Sequence, residues 1–228
     1  MLEKPRPPLD SAVFDRHIRP MRTLLAALSS VALLSLGTVQ AHAQTPVQQA
    51  QAQAPASNPQ VAEVERYFNG LRTLQARFVQ SNPGGTVVQG TLSVRRPGRM
   101  RFEYDPPSQL KIVADGSQVT MWDIANRDFG QWPIGWTAAS FLVKDPLVLS
   151  GDLQVEKLER VNGMLEATMV QARKPQDGKV IVRLAENPLL LRGWTIIDNR
   201  GNRVTVSLSE MQTGLQLADS LFKNESGR

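Results

Sequence analysis

Between Gly90 and Asp123 the chain reads GTLSVRRPGRMRFEYDPPSQLKIVADGSQVTMWD, a series of runs that alternate apolar with polar side chains and are joined by turn signals. Leu92 and Val94, then Met100, Phe102 and Tyr104, then Leu110 and Ile112 point one way. Thr91, Ser93, Arg99, Arg101, Glu103 and Lys111 point the other. Period two is the mark of strands with one apolar face. In Arg96-Pro97-Gly98-Arg99 the proline presets φ and the glycine tolerates positive φ, while Pro106-Pro107 ends the following run. The spacing predicts an antiparallel meander that must hide one of its faces.

The rest of the chain repeats the theme. Asn58-Pro59 reads as a helix cap followed by proline at the first helical position, with Val61, Val64, Tyr67, Phe68 and Leu71 at helical spacing. Leu74, Ala76 and Phe78 then switch to period two, and Asn82 to Gly85 turns the chain into Val88–Val94. Beyond residue 150, alternation recurs at Leu153 and Val155, Leu165 to Met169, Val180 to Leu184, Trp194 and Ile196, and Val204 to Leu208. Asn162-Gly163, Gln176 to Gly178, Asn187-Pro188 and Asn199 to Asn202 separate these runs, and the phase shift between Val155 and Leu158 reads as a bulge or strand end. About eleven antiparallel strands predict a mainly β domain with short α-helices, a single strongly curved sheet or open, incomplete barrel. Between the halves, Thr137 to Ser150 (TAASFLVKDPLVLS) predicts a short helix capped by Thr137, presenting Ala138, Phe141 and Leu142 and broken at Asp145-Pro146. With the first helix it would lie over the mouth of the sheet as a lid.

Upstream, Arg19 and Arg22 flank Met21, an apolar serine-dotted run follows to Val39, and Ala41-His42-Ala43 has the small-x-small form of a cleavage site. Residues 1–43 therefore read as an export signal, with Met21 a candidate true start, and the run is short against the ~20 residues of a membrane span. Residues 44–57 are a Gln/Ala/Pro tether with little to bury, residues 58–222 the folded domain, and 223–228 a tail. Both histidines, His17 and His42, fall in the export signal, and there is no cysteine. A processed chain has neither imidazole nor thiol, which excludes Ser-His-Asp and Cys-His nucleophiles, the common zinc sets, disulfides and a lipid-modified cysteine. No catalytic residue, metal or cofactor is expected.

The net charge is +5, and because five basic and three acidic side chains lie in residues 1–43, the remainder carries +3. That modest balance argues against nucleic-acid binding. Arg95, Arg96, Arg99 and Arg101 cluster, and the plain reading is that they fill the solvated face of one hairpin. Asp105, Asp115, Asp123 and Asp128 stand at or near turns, where aspartate serves local hydrogen bonding, which leaves little support for a carboxylate hydrolase.

Gly90 and Leu92, the Arg96-Pro97 turn, Arg101 to Tyr104 with Pro106, and Asp115-Gly116 before Trp122 stand in an order and spacing that resembles the periplasmic outer-membrane lipoprotein carrier family, LolA. The likeness extends from about Pro59 to Phe222. On residues alone, short helices over a concave sheet either pack as a plain core or leave a pocket. The resemblance implies the pocket, holding the acyl chains of lipoproteins. The side chains it assigns there are Phe78, Leu92 and Val94, then Met100, Phe102 and Tyr104. Leu110, Ile112, Met121 and Trp122 follow from the meander, Phe141 and Leu142 from the lid, and Met169 from the second half.

The same resemblance implies a latch, because the family's lid is held by an arginine at the arginine-proline turn, here Arg96, whose five donors suit carbonyls at the end of the lid. It further implies a monomeric periplasmic carrier, taking acylated lipoproteins from an inner-membrane release complex to an outer-membrane acceptor. A carrier of another lipid or glycolipid, or a lipid-sensing regulatory module, are the alternatives. The sequence departs from many carriers at Ser93 and Phe102, where tryptophan is usual, and its Ala218–Phe222 segment lacks the proline-containing tail of relatives.

Overall fold

The computed structural model describes residues 58–223. The export signal read over residues 1–43, the tether over 44–57 and all but the first residue of the tail lie outside them. Asn58 caps helix α1 (Pro59–Gly70): its side-chain oxygen accepts from Gln60 N at 3.0 Å, and Pro59 occupies the first turn. Val64 and Phe68, four residues apart, put the buried stripe of α1 against the sheet, and the helix ends where Leu71 turns extended.

Eleven strands follow: β1 (Thr73–Ser81), β2 (Val87–Arg95), β3 (Arg99–Tyr104), β4 (Leu110–Asp115), β5 (Gln118–Asp123), β6 (Asp128–Pro133), β7 (Leu153–Val161), β8 (Met164–Gln171), β9 (Gly178–Ala185), β10 (Leu190–Asp198) and β11 (Arg203–Thr213). They form one antiparallel sheet in the order β6-β5-β4-β3-β2-β1-β11-β10-β9-β8-β7, not closed into a barrel. Pairing of β1 with β11 joins the two halves at the centre, so the free edges are β6 and β7, from the middle of the chain.

Register sets the interior. Ala76, Leu92, Phe102, Ile112 and Met121 stand side by side across β1 to β5, and Val206, Trp194, Val182 and Ala167 do the same across β11 to β8. Gly90, between Phe78 and Tyr104, leaves no room for a side chain: a Cβ there would meet Glu103 O at 2.1 Å and the Phe78 ring at 2.8 Å. The phase shift near residue 156 is a bulge, with the β7–β8 register slipping between Val155 and Lys157. One strand has no counterpart in the sequence reading, β6 (DFGQWP), an edge strand that ends in proline.

The segment from Ile134 to Ser150 runs from the end of β6 toward β7. Its helical part is two short 3-10 helices, Ile134–Trp136 and the lid helix Ala138–Leu142, the second started by Thr137 Oγ1 accepting from Ala139 N at 3.2 Å. Phe141, Leu142, Leu147 and Leu149 are buried while Val148 is exposed, so the segment lays one face on the sheet. These side chains merge with those of α1 and both halves of the sheet into one core.

Candidate functional site

Arg96 follows the last residue of β2 and is only 6% exposed. Its Nη2 donates to the carbonyl of Lys144, two residues past the lid helix, and to Asn69 Oδ1 of α1 at 3.3 Å. The neighbouring turn is tied to the lid as well, with Gly98 N donating to Val143 O at 2.9 Å. Burial pulls the Arg96 guanidinium below the usual arginine range, a drift that Asp145 opposes and Arg72 reinforces. Nε and Nη1 are buried with no partner among the described residues. The lid is therefore pinned by a cation only partly satisfied, an arrangement that costs more than an exposed arginine would.

Asn69 is the residue that sequence reasoning missed. Its Nδ2 donates to Leu147 O at 3.0 Å while its Oδ1 accepts from Leu147 N at 2.7 Å, and one turn earlier in α1 Glu65 accepts from Leu149 N at 2.6 Å. Position 69 lies next to the apolar stripe of α1, and a polar residue there aimed at backbone more than seventy positions away carries no local signature.

Beneath lid and helix the expected cavity residues do converge, with one exception. Phe78, Leu92, Val94, Met100, Phe102, Tyr104, Ile112, Met121, Phe141, Leu142 and Met169 are buried in the common core, with Leu110 partly buried against it. Trp122 is not among them. It pairs across to Lys111 on β4, one position out of phase with Met121 and Ile112, and leans on the exposed Phe129 at 6.0 Å. A strand cannot send Met121 and Trp122 to the same side.

Aromatic rings occupy the middle of that interior. Phe68 packs edge-on against Phe141 at 5.8 Å, Phe141 against Trp194 at 5.8 Å, Trp194 against Phe102 at 6.3 Å, Phe102 against Phe78 at 5.4 Å and Phe78 against Tyr104 at 5.1 Å. This edge-to-face chain fills the bowl from helix to floor. Tyr104 ends it with its hydroxyl donating to Gln80 Oε1 at 2.9 Å, and burial drives that phenol far above its ordinary range. A cleft of about 540 Å³ lies at the seam between the lid and the β7–β8 edge, with Val143, Lys144 and Leu153 among its walls.

The arginine cluster is not simply a solvated face. Arg95 donates to Leu217 O at 2.6 Å, pairs with Asp219 and sits 5.2 Å over the Phe222 ring, while Arg101 donates to Leu221 O at 3.3 Å. These bonds strap residues 217–222 across the outer face, and Phe222 is buried there. Asp115 accepts from Ser117 N and Gln118 N, Asp123 from Asn126, and Asp105 pairs with Arg77. Among the described residues no three acidic, histidine or cysteine side chains are grouped to hold a metal, and no helix is long and apolar enough to cross a membrane.

The sequence pattern of the family described as "Outer membrane lipoprotein carrier protein LolA" matches residues 69–225. The chain belongs to that family. An outer-membrane lipoprotein carrier protein of Chromobacterium violaceum is 27% identical over 177 residues, 74% of this chain and 84% of the relative. One from Pseudomonas entomophila is 24% identical over 216 residues, 90% of this chain and 94% of the relative. Among solved structures, a LolA superfamily protein from Nitrosomonas europaea aligns over 72% of this chain and 96% of its own, at 10% identity and a TM-score of 0.44.

Proposed function

We propose that this chain is a periplasmic carrier that shields the acyl chains of lipoproteins between the concave face of its sheet and its lid, and moves them from the inner to the outer membrane. The observation that carries the reading is the Arg96–Lys144 bond, a buried cation fastening a movable apolar cover over an apolar bowl. Magnitudes support it. At ~0.8 kcal/mol per buried methylene, three long acyl chains carry tens of kcal/mol of transfer energy and do not cross water unshielded. A carrier that gripped them with all of that energy would never let go, so its affinity must be lowered by a cost of opening.

The filled interior supplies that cost. Lifting the lid exposes Phe141, Leu142 and Leu147, at about 1.5–3 kcal/mol for each side chain, and breaks the bonds that Arg96 and Asn69 make to it. Cargo displaces these side chains on entering, and their return to the interior helps to expel it. Met100, Met121 and Met169, buried in the core, suit a lining that must repack around flexible chains.

Mass spectrometry of what co-purifies with the exported protein tests the cargo. Triacylated peptides are the expected finding, and glycolipids or phospholipids alone would reassign the carrier to another lipid. Arg96→Leu tests the latch, since the variant should fold, load and then retain cargo in the presence of an outer-membrane acceptor. Transfer at the parent rate would remove Arg96 from the mechanism.

A further inference from the structure

The wall of the bowl is a continuous ladder of paired strands from β6 round to β7, and a chain of methylenes cannot pass through it without breaking backbone bonds. The unpaired strands are the two edges, and the segment from Ile134 to Ser150 leaves the end of β6, is fastened to the β2–β3 turn and to α1, and leads on to β7. The cleft of about 540 Å³ opens where this segment and Gly98 of the β2–β3 turn meet the start of β7 and the end of β8, within the ~300–1,000 Å³ of small-molecule sites.

Its chemistry is graded. Ile134, Val143 and Leu153 form an apolar floor that belongs to the core or packs on it, while Lys144, Asp152 and Arg173 make a polar rim. The rim is held across the seam by a pair of 3.5 Å between Lys144 Nζ and Asp152 Oδ2, well exposed and therefore weak. Val143 and Lys144 belong to the lid: the carbonyl of Val143 accepts from Gly98 N, and that of Lys144 accepts from Arg96.

We infer that this seam cleft is the portal through which one acyl chain of an amphiphilic ligand enters, its methyl end passing over Val143 and Leu153 and its polar end staying at the Lys144–Arg173 rim. This rests on the carrier reading and adds to it the place where cargo meets the latch. A chain advancing along the floor parts the Lys144–Asp152 pair and shifts Val143 and Lys144. The Arg96 bond then breaks because its acceptor has moved, with no direct contact between ligand and guanidinium.

The full chain is loaded with a synthetic diacylated lipopeptide bearing one pyrene-labelled chain, using variants that carry a photo-crosslinking phenylalanine at Gln171, on the cleft wall, or at Val87, exposed on the outer face of β2. Crosslinking during uptake is expected from Gln171 and not from Val87, and Leu153→Glu should slow uptake by about tenfold because it sets a charge in the apolar path. Equal crosslinking from the two positions, or parental uptake by Leu153→Glu, overturns the portal and leaves the carrier reading standing. Absence of uptake by the parent protein overturns both. Should Leu153→Glu fail to fold, the Gln171 crosslink decides alone.

Discussion

Asn69 and Leu147 exchange a pair of hydrogen bonds, Nδ2 to the carbonyl at 3.0 Å and backbone N–H to Oδ1 at 2.7 Å, so one side chain of α1 completes the backbone of the lid. Because Oδ1 also accepts from Arg96, the same residue joins helix, lid and latch. Asn69→Ala should cost about 2 kcal/mol of stability by orphaning these groups. Thermal unfolding measures the loss, and amide exchange should rise first across residues 144–149. An unchanged exchange pattern there would separate Asn69 from the lid.

Arg96→Lys should resemble Arg96→Leu in cargo transfer rather than the parent, since a single ammonium cannot span the Lys144 carbonyl and Asn69 as the planar fork does. Both variants should unfold within about 1 kcal/mol of the parent, because Nε and Nη1 gain nothing from their burial. Transfer assays beside chemical denaturation make the comparison.

Phe141 touches both Phe68 and Trp194 and joins lid to sheet. Phe141→Ala should destabilise the fold by about 3–5 kcal/mol and leave a hollow beside Trp194. Titration with a short fatty acid, read through tryptophan fluorescence, should show tighter uptake than by the parent, whose own ring occupies that space. Weaker uptake would mean that the aromatic chain is not what cargo displaces.

Trp122→Ala is the matched control for the face assignment. Lying on the outer surface against Phe129, its loss should cost under about 1 kcal/mol, against about 3–5 for Trp194→Ala in the core. Denaturation midpoints of the two variants decide the matter.

The outer strap should loosen in acid. The hydrogen bond from Arg95, together with its charge, holds the Asp219 carboxyl below the ordinary aspartate value of 3.8. Its contribution is therefore fully present above that value and is lost as the pH falls through the lower, folded one. Protection of the amides of Leu221 and Lys223 should be flat from about pH 5 to 8 and fall below about pH 4. Asp219→Asn should abolish the step.

Alternation made the sheet readable, because period two is imposed by backbone geometry and survives any change in packing. The cap at Asn58, the Thr137 start of the lid helix and the bulge near residue 156 were equally local and equally legible. β6 was not: its glycine and terminal proline erase the strand signal, and only pairing with β5 reveals it. Trp122 went astray where hydrophobicity was allowed to outrank parity, although Met121 already held the inward position. The strap over Arg95 and Arg101 depends on contacts more than a hundred residues apart, and the filling of the bowl depends on side-chain volumes, neither of which leaves a periodic trace.

The bond that holds the lid runs from a guanidinium to one backbone carbonyl and the Asn69 amide oxygen, and the described residues include no imidazole and no thiol. Arginine keeps its proton at any physiological pH, and nothing near it can be oxidised to a disulfide. Redox poise therefore finds no handle on this contact, and any effect of acid on the lid has to come through carboxylates such as Glu65, which accepts from Leu149 N, and Asp152, which pairs with Lys144. On the proposed carrier reading, discharge is then mechanical and competitive, set by which neighbouring body offers hydrocarbon a better home.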